Sequence, residues 1–124
     1  MASVAKDDLD AAHALTAQPP FLKAARFHCQ QAAEKSLKAF LTWHDIRFRR
    51  IHDLDEIGQQ CADVDPSLKE LAQRARSLSA YASGFRYPGP DYLPTLAETE
   101  SGIALAKEVV EAVISRLPGA ARPR

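Results

Sequence analysis

The 124-residue sequence predicts an all-α fold, an up-and-down antiparallel bundle of about five helices, four long and one short. Three observations carry this. Apolar residues recur at steps of three and four through most of the chain, the spacing that gathers side chains on one face of a helix. No segment alternates apolar and polar residues for long enough to make a strand. The breaks are few: Pro19-Pro20, residues 47–52, Asp63-Val64-Asp65-Pro66 and Tyr87-Pro88-Gly89-Pro90. The length suits one domain with its own core, placed at residues 1–118, followed by a disordered tail at 119–124.

The first helix is expected from about residue 4 to 17, with Val4, Leu9, Ala12 and Leu15 as a weak apolar face. The second, from about 20 to 44, has the strongest pattern. Leu22, Ala25, Cys29, Ala32, Ser36, Phe40 and Trp43 make a stripe that Ala33, Leu37 and Leu41 widen, and Pro20 suits a first turn. On this stripe Trp43 is expected in the core, with base stacking as its alternative role. Asp53 or a neighbour is expected to cap a short third helix carrying Leu54, Ile57 and Cys61. Asp65 before Pro66 opens a fourth, whose face is Leu68, Leu71, Ala72, Ala75, Leu78 and Tyr81 or Ala82. Thr95 caps the fifth, which runs through Leu96, Ile103, Ala106, Val110, Val113, Ile114 and Leu117.

Sixteen basic and sixteen acidic side chains cancel, which excludes a global polycation but not a local basic surface. The charges are in fact sorted. Residues 21–52 carry seven Lys or Arg against two acids, whereas 53–65 carry five acids and no Lys or Arg. Either these are solvated faces that complement neighbouring helices, or one is a phosphate-facing surface and the other a partner surface. No apolar run is long enough to span a bilayer, and the first fifteen residues place acids where a secretory segment would be apolar. A cytoplasmic protein without membrane contact is expected. In that compartment Cys29 and Cys61 read as two buried thiols, and neither has a metal-binding neighbour at a suitable spacing. Neither metal nor cofactor is expected.

The chain lacks phosphate-binding glycine loops, zinc-hydrolase and deaminase motifs, and a serine-nucleophile elbow. Its densest polar constellation is His44-Asp45-Ile46-Arg47-Phe48-Arg49-Arg50-Ile51-His52-Asp53, at the end of the second helix. Guanidinium groups offer paired donors to phosphate oxygens. A histidine that titrates near neutrality moves protons. Arg47 holding a phosphorane and His52 deprotonating a ribose 2′-hydroxyl would suffice for metal-free RNA cleavage. Helix-end charge compensation by the arginines, and a loop hydrogen bond from His52, explain the same residues without any activity. Glu34 and Lys38 make an i,i+4 pair expected on a solvated face. His13 and His28 read as surface or boundary residues, and Arg86-Tyr87 before a rigid turn offers a second phosphate-facing arginine.

The run Phe27-His28-Cys29-Gln30-Gln31-Ala32-Ala33-Glu34-Lys35-Ser36-Leu37-Lys38-Ala39 resembles the F-H-x-Q-Q-A-A-E-K-x-L-K-A signature of HEPN domains. His52-Asp53-Leu54 is similar to the T-H-D-L step of that family, and Arg86-Tyr87-Pro88 with Tyr92 to its R-Y-P-x-x-x-Y segment. The resemblance extends from Asp8 to Leu117 and points to the branch associated with minimal nucleotidyltransferases. It implies a helical bundle that pairs into a homodimer and works beside such a nucleotidyltransferase in toxin–antitoxin or related systems. Many members are metal-independent ribonucleases with an R-x(4–6)-H motif in a cleft shared by the dimer; others bind nucleotide or a partner. Arg47 and His52 match R-x(4)-H, and Arg49, Arg50, Arg86 and Tyr87 are the candidate RNA- or nucleotide-binding residues. Phe48 stands where active members usually carry a polar residue, and Leu54 where a tyrosine is frequent. Two readings follow from the resemblance: a dimeric binding partner of a nucleotidyltransferase, and a toxin-type endoribonuclease.

Overall fold

A computed structural model describes residues 2–16, 21–48, 53–81 and 94–118, and every regular element among them is helical. The helices are α1 (Ala2–Thr16), α2 (Leu22–Trp43), α3 (Leu54–Val64), α4 (Lys69–Ala75) and α5 (Leu96–Arg116). The all-α bundle expected from the sequence is present, and α4 is its shortest helix, seven residues long. The segment expected as one fourth helix is helical from Pro66 to Tyr81, but its ends, Pro66–Leu68 and Arg76–Tyr81, are 3-10 turns. At the second of these the Ser77 hydroxyl donates to the Arg74 carbonyl, a local bond that competes with the α-helical ladder.

Local chemistry sets three of the starts. Asp53 accepts from the backbone N–H groups of Asp55 and Glu56 at the head of α3. Asp65 accepts from the Ser67 N–H ahead of α4, with Pro66 in the first turn, where its missing N–H costs nothing. Thr95 and Glu98 make a reciprocal capping box on α5.

Side-chain contacts give the helix directions. Asp8 of α1 meets both His28 and Lys35 of α2, so these helices pack side by side, and the short link from Thr16 to Leu22 makes them an antiparallel hairpin. Arg74 meets Glu108, and Arg116 meets Asp65, which sets α4 antiparallel to α5. Arg76 meets Asp55, so α3 and α4 are antiparallel as well. Arg26, near the start of α2, donates to the Glu98 carbonyl near the start of α5; these helices run the same way. It follows that α3 also runs with α2.

The core is built from Phe40 and Leu41 of α2, Leu54 and Ile57 of α3, Leu68, Leu78, and Val109, Val110 and Val113 of α5. Cys29 and Cys61 are buried, unbridged thiols, as expected. Burial pushes them up to about 11 and about 12, so both stay protonated at neutral pH. Gly102 has a packing reason to be glycine. A Cβ there would stand 2.0 Å from a guanidinium nitrogen of Arg26, which is 4% exposed and lies across α5. Among the described residues, no helix is long and apolar enough to cross a membrane.

Candidate functional site

The end of α2 is a complete Schellman reversal. The Ile46 N–H donates to the Leu41 carbonyl at 2.9 Å, and the Asp45 N–H to the Thr42 carbonyl at 3.1 Å. Asp45 takes the left-handed conformation this turn requires, with φ of 59°. Aspartate tolerates that region better than most residues, though less well than glycine. The His44 ring lies against Phe40, centroids 4.5 Å apart, while His44 itself remains exposed.

Beyond the reversal the chain is tied down at two points. The Arg47 carbonyl accepts from Gln60 Nε2 of α3 at 2.9 Å. Phe48 is half-buried against the core, with the Lys38 ammonium 5.7 Å above its ring centre. Together these ties fix the backbone of Arg47 while its side chain stands exposed. An exposed guanidinium on an anchored backbone is a ready donor to a phosphate oxygen.

Lys38 links this loop to the interior of α2. It donates to Glu34 Oε2 at 3.2 Å, and Gln30 Nε2 donates to Glu34 Oε1 at 2.9 Å. Gln31 Nε2 in turn donates to Gln30 Oε1 at 2.7 Å. Gln30 and Glu34 are 0% and 2% exposed, so the Glu34–Lys38 pair is not the solvated surface contact that its spacing predicts. The reason is position. Glu34 sits among Ala32, Ala33 and Leu37, all buried, and helical spacing alone does not reveal which side of a stripe a neighbouring helix covers.

A second polar cluster joins α1 to α2. Asp8, 8% exposed, accepts from His28 Nδ1 and from Lys35 Nζ, each at 2.7 Å. His28 is therefore a boundary residue, as expected, but one with a fixed partner. Asp8 was invisible as a site residue in the sequence, because it lies within an acidic run that reads as solvated.

Of the candidate catalytic and RNA- or nucleotide-binding residues, Arg47 is the one whose placement is described. Arg49, Arg50, His52, Arg86 and Tyr87 lie outside the described residues. Trp43 departs from expectation. It is 51% exposed rather than part of the core. The physical reason is helix length: α2 has 22 residues against 15 in α1, and the Asp8 contacts place the extra turns at the far end of α2. An overhang of about 10 Å follows from the difference at 1.5 Å per residue.

The HEPN domain model matches residues 2–117, nearly the entire chain. The chain belongs to the HEPN domain family. No curated protein and no solved structure matches it. Within this HEPN chain the Q-Q-A-A-E-K segment supplies scaffold: Gln30 holds Glu34, Glu34 holds Lys38 over Phe48, and Lys35 staples α1. Arg47 is what that scaffold presents to solvent. Among the described residues no three His, Cys, Asp or Glu side chains converge as metal ligands.

Proposed function

We propose that this HEPN protein is a dimeric, cytoplasmic binding module that engages a nucleotide or RNA phosphate through the loop after α2, beside a minimal nucleotidyltransferase. The observation that supports this reading best is the division of labour in the loop. Arg47 is exposed on a backbone held by Gln60, and the next residue, Phe48, is committed inward beneath Lys38. A polar residue at position 48 would be available to substrate; Phe48 instead serves packing. Arg49 and Arg50 extend the positive charge along the sequence, and Arg86 with Tyr87 is the second proposed contact. The acidic residues of 53–65 are the proposed partner-facing surface. Pairing is expected of a small bundle, which gains core by it.

A second reading, a metal-independent endoribonuclease, draws on the Arg47-x(4)-His52 spacing. Arg47 would stabilise the pentavalent phosphate. His52 would take the proton from the 2′-hydroxyl and then return one to the leaving 5′-oxygen.

Cleavage of a labelled RNA in chelator, by the wild type and His52→Ala, separates the two readings. The binding-module reading expects no cleavage by either protein, together with co-purification of the chain with a co-expressed minimal nucleotidyltransferase. Cleavage to a cyclic phosphate that disappears in His52→Ala overturns it in favour of the nuclease.

A further inference from the structure

We infer that Trp43 is a stacking platform for an unpaired base of single-stranded RNA whose phosphate is held by the Arg47 loop. The inference rests on the reading that this loop engages RNA or nucleotide, and it names which part of the ligand the loop takes besides phosphate.

Four observations converge on it. Trp43 is the chain's single tryptophan, and it is 51% exposed on the last turn of α2. That turn is rigid, because the Schellman bonds from Asp45 and Ile46 close it. The residues around it in the chain are exposed and mostly polar: Thr42, His44, Asp45 and Arg47, with Ile46 the apolar exception at 37% exposed. From Trp43 to Arg50 the chain carries three arginines against one aspartate. An exposed indole four residues before the exposed Arg47, on a turn of mostly polar residues, matches a ligand that offers a flat base and a negative backbone together. Stacking accepts any base, whereas a duplex hides its base faces. The chemistry therefore selects an unpaired strand.

With one tryptophan, emission excited at the red edge of the absorption band, where the three tyrosines do not absorb, reports on this residue alone. The full chain is titrated with a short oligoadenylate, the same strand carrying abasic sites, a duplex, and AMP, and binding of a labelled strand is followed in parallel by anisotropy. The inference expects saturable quenching by the oligoadenylate and much weaker quenching by the abasic strand and the duplex. It also expects roughly tenfold weaker strand binding by Trp43→Ala, the fold-change that one lost stack produces, with most of the affinity retained in Trp43→Phe. Wild-type affinity in Trp43→Ala, with weakened binding in Arg47→Ala, would overturn the stacking role and leave the loop reading intact. Quenching by AMP but not by the strand would overturn the single-strand assignment. Blue-shifted emission that moves to the red on dilution would place Trp43 between two copies of the chain and overturn the inference. Absence of binding by every probe would remove the loop reading and the inference together.

Discussion

Glu34 is the residue on which the interior polar chemistry turns. Its two oxygens receive Gln30 and Lys38, and Lys38 covers Phe48, one residue beyond Arg47. Removing the carboxylate leaves a buried amide and a largely buried ammonium without their acceptor. Glu34→Ala is expected to cost about 2–3 kcal/mol, below the figure for a wholly buried pair because Lys38 retains some access to water. Urea unfolding measures this, and Glu34→Gln should lose clearly less because it keeps an acceptor for Gln30. The sequence displays the pair, since i,i+4 spacing is local information. Its burial depends on which helix arrives alongside, and that is decided by residues far away in the chain. Trp43 shows the converse. Its periodicity is that of the core, but α1 begins too late to cover it.

Among the elements, helix ends were the most legible part of the fold. Asp53, Asp65 and Thr95 each accept backbone N–H groups where the sequence places them, because a cap acts over three or four residues and needs no tertiary partner. The end of α2 was less legible. Its reversal uses Asp45 at a position where glycine is usual, so the common stop signal is missing. Two predictions belong here. Thr95→Ala breaks the capping box and should lower stability by about 1 kcal/mol. Asp45→Gly relieves the left-handed strain and should raise stability by about 1 kcal/mol, seen as a higher urea midpoint with an unchanged slope. A destabilised Asp45→Gly would show that the aspartate side chain holds the turn by contacts worth more than the strain.

At the scale of the molecule, one scaffold organises everything described. Asp8 staples α1 to α2, Arg26 crosses to α5 over Gly102, and Arg74 and Arg116 tie α4 and the turn before it to α5. Beyond the end of α2, Gln60 holds the Arg47 carbonyl and Lys38 covers Phe48, while Arg47 itself faces water. The all-α class and the family signature were legible in the sequence because both reside in continuous stretches. That α2, α3 and α5 share a direction was not, because it follows from contacts such as Arg26 with Glu98, 72 positions apart. The central claim is that Arg47 is a phosphate contact on this scaffold. Its most direct test is the affinity of the wild type and Arg47→Ala for a labelled single-stranded RNA across a salt series. The account predicts weaker binding by the variant at every salt concentration and a salt slope reduced by about one unit, as for the loss of one phosphate contact. Equal affinities and equal slopes would contradict it.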